Sequence, residues 1–196
     1  ILGLEALPDY ADVARANVGS NNLSNVIVLS VMGHTFNGEA DFRYRNPPYS
    51  SSAVLDRAGM EEATDDIITM PTVDVNELID QYDINAIHLD AEGSELQLIP
   101  HILSSPDIAS VNKISWETHT HIIGVTGNHK LFYTLMDAGF EPVVIAGAYF
   151  FPTRCYTIAF ARPPLANEMR HRQEYIGDTT VVDLEDFRHW LGQIKV

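Results

Sequence analysis

The 196 residues suit one domain with room for a sizeable core, since hydrophobic residues at 45% and charged residues at 20% are ordinary for a globular chain. Twelve Lys and Arg against 27 Asp and Glu give a net charge of −15, which argues against sequence-independent nucleic-acid binding, because that affinity comes from cations neutralising phosphates. The longest apolar run, near residues 143–151, is too short for a membrane span, and no basic-then-apolar leader is read at the start.

In chain order, Ile1-Leu2-Gly3-Leu4-Glu5 reads as a short buried strand ending in an acid. Pro8-Asp9 opens a helix whose apolar positions are Tyr10, Val13, Ala14 and Val18, and Asn21-Asn22 closes it. Val26-Ile27-Val28-Leu29 is the continuous β-branched run expected of a strand buried on both faces. Residues 40–44 and 67–70 read as strands around a polar loop at 46–52, with a helical turn at 54–62. Asp74 caps a helix through Tyr82, with Glu77 placed three residues on as a capping box requires, and Val75, Leu78, Ile79 and Tyr82 form its core face.

Residues 84–89 make another buried strand, which stops at Asp90. Residues 94–103 are helical, with Leu96, Ile99 and Leu103 inward and a bend expected at Pro100. Residues 113–116 form a strand ending at Glu117, and residues 131–138 a helix closed by Gly139. Residues 141–145 and 156–161 are two strands joined by the aromatic turn Tyr149-Phe150-Phe151-Pro152. The single Cys155 excludes an internal disulfide and fits a reducing, cytoplasmic compartment; beside Tyr156, Ile158 and Phe160 it reads as a packing thiol.

Alternating strands and helices predict an α/β fold, with a mostly parallel sheet covered on both faces. The last two strands have no helix between them, so they predict an antiparallel hairpin at one edge. This domain covers residues 1–164. Residues 165–196 form an extension in which Leu184, Phe187, Leu191 and Ile194 make one helical stripe, with Trp190 beside it. That stripe packs on the body or on another subunit, giving a homo-oligomer or a larger complex.

Ligands of open α/β sheets bind at the carboxyl ends of the strands. Three strands end in acids here: Glu5, then Asp90-Ala91-Glu92-Gly93, then Glu117-Thr118-His119. Such acids are costly unless a ligand, a metal or each other compensates them. Glu5 has two oxygens that match a ribose diol, or it complements the dipole of the helix that starts near Pro8. Asp90 also serves as a helix cap, and His88, on the same strand face, offers a general base, although a strand histidine is more often structural. Glu117, His119 and His121 alternate, so an extended backbone aims them to one side as metal ligands, with Asp90 or Glu92 completing the set. Isolated pairs of this kind are frequent accidents, and no metal is assigned. There is no phosphate-binding P-loop, nucleophile elbow or zincin motif.

The ordered set Leu4-Glu5-Ala6-Leu7-Pro8, Asn22-Leu23-Ser24-Asn25-Val26, Gly38-Glu39-Ala40, Ser50-Ser51-Ser52, Val73-Asp74 and His88-Leu89-Asp90-Ala91-Glu92-Gly93-Ser94-Glu95 resembles the FkbM family of methyltransferases. The likeness runs from residue 1 to about residue 162 and is most specific from Asp90 to Glu95. It implies a Rossmann-like class I methyltransferase sheet and S-adenosylmethionine as cofactor. The implied activity is an O-methyltransferase acting on a hydroxyl of a sugar or small natural product. It further implies that Glu5, with Ala6 beside it, binds the cofactor ribose, that Ser30, Val31 and Met32 border the adenine, and that Asp90, Glu92 and Glu117 line the cleft. Methyl transfer is chiefly alignment of donor and acceptor, and a hydroxyl acceptor needs a base, for which His88, Asp90 and His119 are the candidates.

Two features depart from the family. His88 stands where the family commonly has Lys, and the usual first strand with its glycine-rich turn has no counterpart. That strand would lie between those ending at Glu5 and Asp90, and each unmet backbone group on the edges it leaves costs ~1–3 kcal/mol. The start at Ile1 suggests part of a longer chain; otherwise another segment fills the gap or the flanking strands pair directly. A non-catalytic binding or assembly module, and a metal-dependent enzyme using Asp90, Glu92, Glu117, His119 and His121, are the alternative readings.

Overall fold

The computed structural model describes residues 1–44, 66–146, 157–172 and 180–181. The loop expected at 46–52, the Ser50-Ser51-Ser52 motif, the turn at 54–62, the aromatic turn at 149–152, Cys155 and the stripe at 184–194 lie outside the described residues. The fold is α/β, with three sheets among the described residues, two of them mixed. No helix among the described residues is long and apolar enough to cross a membrane.

The chain opens with β1 (Leu2–Glu5), α1 (Pro8–Ser20) and β2 (Ile27–Ser30), and β1 and β2 pair in parallel from Leu2↔Ile27 to Glu5↔Ser30. β3 (Met32–His34), β4 (Gly38–Tyr44) and β5 (Asp66–Asp74) make a second sheet, with β5 parallel to β3 and antiparallel to β4. After α2 (Val75–Gln81) come β6 (Ala86–Leu89), α3 (Glu95–Leu103), β7 (Lys113–Glu117), α4 (Thr120–Asp137), β8 (Glu141–Ala146), β9 (Thr157–Ala161), α5 (Pro163–Arg172) and β10 (Thr180–Val181). The third sheet has the order β10-β8-β9-β7-β6.

β6 and β7 run parallel, whereas β9 is antiparallel to both β7 and β8 between which it lies. Of the seven strand pairings among the described residues three are parallel, so the arrangement is mixed rather than mostly parallel. Two features produce the difference. The β4–β5 pair is antiparallel, and β9 enters between two strands that would otherwise neighbour each other in parallel. The expected hairpin is present, but β10 lies beyond it at the sheet edge.

The main core gathers around β7. Ile114 and Trp116 are fully buried with Ile99, Ile102, Leu131, Leu135 and Phe160. The Trp116 ring lies 5.7 Å from both Phe132 and Phe160, and each such side chain contributes about 1.5–3 kcal/mol by leaving water. A second cluster seats α5 on the sheet through Ala166, Val143, Ala159 and Ala161, so the boundary drawn at residue 164 cuts into a helix packed on the body.

Several expectations are corrected. β2 and β6 are not buried on both faces: each has one strand partner among the described residues, and Ile27, Ala86 and His88 are exposed. α1 turns Ala11 rather than Tyr10 and Val13 inward, leaving those two 51% and 60% exposed. α3 buries Leu98, Ile99 and Ile102, while Leu96 and Leu103 pack at the margin of the core. The helix expected from residue 131 begins at Thr120. Its glycines conceal it: Gly124 takes φ 70°, which glycine adopts without strain, and kinks the helix. At Gly127 a Cβ would stand 3.0 Å from Ile123 of the same helix and at an ordinary 3.5 Å from Leu96 of α3, so the missing side chain relieves crowding within α4 beside the kink.

Candidate functional site

The turn after β6 is tight. Ser94 N–H donates to the Ala91 carbonyl (3.0 Å), and Glu92 adopts a left-handed backbone with φ 47°, which is uncommon for a residue with a side chain. The turn delivers Asp90 and Glu92 to one place and starts α3 at Glu95. Glu95 is fully buried, and its Oε1 accepts from Ala91 N–H at 2.9 Å.

His119 enters from the other side, at the amino end of α4. Its Nδ1 lies 2.9 Å from Glu95 Oε1, and its Nε2 lies 3.4 Å from Asp90 Oδ1 and 3.7 Å from Glu92 Oε2. The imidazole is 2% exposed, Asp90 is 56% exposed, and Glu92 lies between them, so the cluster opens to solvent through Asp90. Burial opposes a charged imidazole here, but hydrogen bonds to Asp90 and Glu95, with the charges of Glu95 and Glu92, outweigh it and raise the pKa of His119 to about 10. The His119 hydrogen bond, against an opposing burial effect, holds Asp90 below the usual carboxylate value, helped by the charges of His119 and His88.

The extended path expected for Glu117, His119 and His121 is overturned. The chain turns into α4 at Thr120, so His119 is buried and His121 exposed, their ring centres 6.0 Å apart. Glu117 is half-buried at the end of β7, paired with Thr157, and is not among the three residues whose ligand atoms lie within 4.8 Å of one another. Those are Asp90, Glu92 and His119, a candidate metal-binding triad that keeps three of the five residues in the alternative metal reading. His88 projects from β6, exposed, with Nδ1 3.0 Å from Ser115 Oγ.

Glu5 and Ser30 are register partners at the ends of β1 and β2. Glu5 Oε1 accepts from Leu7 N–H at 2.8 Å, so this acid does organise the turn into α1. Ala6 and Met32 pack in a small core with Phe42 and Met70, and Val31 is half-buried between β2 and β3. Among the described residues no ladder joins β1 to β6, so the strands ending at Glu5 and Asp90 belong to separate sheets.

Sequence reasoning passed over Glu95. An acid in a first helical turn reads as an exposed complement to the helix dipole. Here it is sealed beneath His119, and the readable signal was its place four residues after Ala91, within reach of the turn it closes.

A second cluster contains His34, Asp74 and His101. His101 Nε2 lies 2.7 Å from Asp74 Oδ1, which also caps α2 by accepting from Asn76 N–H at 2.9 Å. The predicted capping box is closed differently. Asn37 Oδ1 accepts the Asp74 N–H, and Asn37 Nδ2 donates to Glu77 Oε1, both at 2.8 Å.

No family model, curated protein or solved structure matches this chain.

Proposed function

We propose that this chain is an S-adenosylmethionine-dependent O-methyltransferase of FkbM type, acting on a hydroxyl of a sugar or small natural product. One observation carries the reading: β6, β7 and β8 are co-directional, and β9 is inserted antiparallel between β7 and β8. That arrangement is compatible with a Rossmann-like class I methyltransferase sheet, and β1 and β2 pair as a separate sheet among the described residues. Acids at the ends of β1, β6 and β7 agree with a ligand cleft along the carboxyl ends of the strands.

The residues present fit the cofactor's ribose. Glu5 uses one carboxylate oxygen for Leu7 N–H, which leaves the other for a hydroxyl, and Ser30 stands beside it. Bound S-adenosylmethionine supplies a methyl carbon made electrophilic by its sulfonium. The protein's part is alignment and removal of the acceptor's proton. His119 is buried and held between Glu95 and Asp90, so it is unsuited as the base. His88, exposed, anchored at Nδ1 and near enough to Asp90 for their charges to interact, takes that role.

Calorimetry with S-adenosylmethionine tests the reading. Binding is expected, and Glu5→Gln should weaken it about tenfold, the loss of one charge-assisted hydrogen bond. A well-folded protein that takes up no S-adenosylmethionine sinks it. A second reading, a non-catalytic module of the same fold, is favoured by the lack of a ladder between β1 and β6 among the described residues.

A further inference from the structure

We infer that Asp90, Glu92 and His119 bind one divalent transition cation, with Glu95 as the carboxylate that orients the imidazole. The geometry admits a shared ion, since one ligand atom from each residue lies within 4.8 Å of the others. A tetrahedral cation with bonds of about 2.1 Å separates its ligand atoms by about 3.4 Å. His119 Nε2 stands 3.4 Å from Asp90 Oδ1 and 3.7 Å from Glu92 Oε2.

A second, independent observation lies behind the imidazole. Glu95 is completely buried and meets His119 Nδ1 at 2.9 Å. A carboxylate accepting from the far ring nitrogen fixes the tautomer that leaves Nε2 to coordinate, the support typical of metal-bound histidines. Glu95 Oε2, equally buried, has no hydrogen-bond partner among the described residues.

Charge points the same way. Three carboxylates face one imidazole, and the amino ends of α3 and α4 each add about half a positive charge. Even a protonated His119 then leaves the cluster negative by about one charge. A divalent cation on a neutral imidazole brings it close to balance. One nitrogen and two carboxylate oxygens suit zinc or manganese, and the exposed side of Asp90 leaves further coordination positions open to an oxygen ligand from solvent.

Cation uptake here is independent of methyl transfer, and the two are measured separately, so failure of either leaves the other standing. The test is titration of zinc alone into the chelator-stripped full chain near neutral pH, followed by calorimetry. One equivalent should bind. Asp90→Asn and Glu92→Gln, which keep shape and remove charge, should each weaken uptake about tenfold or more, whereas Asp74→Asn in the other cluster should leave it unchanged. Circular dichroism on each variant verifies the fold, and the exposed Asp90 provides a variant that does not disturb packing. No uptake by the folded protein, or uptake that Asp90→Asn or Glu92→Gln leaves unchanged, overturns the site and assigns any binding to surface histidines.

Discussion

Helix α3 carries a histidine–carboxylate cluster at each end, and the two are built differently. At its carboxyl end, His101 meets Asp74, both about one-fifth exposed, with His34 near enough to interact with both, and Asp74 also caps α2. At its amino end, His119 meets Asp90, Glu92 and Glu95, and both His119 and Glu95 are buried. The first has a single carboxylate and fastens α2, α3 and β5 together. The second holds more negative charge than the fold requires. Residue type alone does not separate a fastening from a site; the number of carboxylates per imidazole and their access to water do.

The sharpest way to break this contrast is to delete each histidine. His119→Ala leaves Glu95 buried without its partner and should cost about 3–5 kcal/mol in urea unfolding, whereas His101→Ala should cost about 1 kcal/mol because water can replace the ring. Equal losses would mean that the clusters do the same work.

The next largest effect separates them by pH. The folded pKa of His119 is raised, so its contribution is complete below about 6.5, declines above that and is gone once pH passes about 10. Urea midpoints measured across that window should show a fall on the order of 4 kcal/mol that His119→Ala lacks. Asp74 has the opposite sign. Burial opposes its charged form, but the His101 and Asn76 hydrogen bonds prevail and lower its pKa, so its contribution is present above the usual carboxylate value and lost as pH falls through the folded one. Asp90 is also lowered, so the acid limb is common to both clusters and only the alkaline limb discriminates.

The smallest effect tests the fastening role. Asp74→Ala removes the cap of α2 and should cost about 1 kcal/mol by the same denaturation, with S-adenosylmethionine and zinc binding unchanged.

Much of the element order was legible, because apolar runs and turn residues act locally. Asp74 could be read as a cap, and Glu141 and Ala161 as lying in paired strands, from a few neighbours each. Burial was less legible. Val28 and Leu29 carry the pattern of an interior strand, yet burial depends on which strands flank them, and that is a long-range fact. The insertion of β9 between β7 and β8 is equally non-local. At the site, Asp90, Glu92 and His119 were legible as candidates, but His121 and Glu117 were grouped with them on the assumption of extended backbone. Gly124 and Gly127, which precede the helix expected from residue 131, lie within the longer helix that turns His121 away.

Gly127 also sets a dimensional tolerance. Ile123, which a Cβ at Gly127 would crowd, lies one helical turn after His119, and Leu96, in ordinary contact range, directly follows Glu95. The turn that carries His119 toward Glu95 thus depends on room kept free beside Ile123. Close-packed interiors pass small displacements on with little loss. The reach of Glu95 to His119 inherits its accuracy from a side chain that is not there.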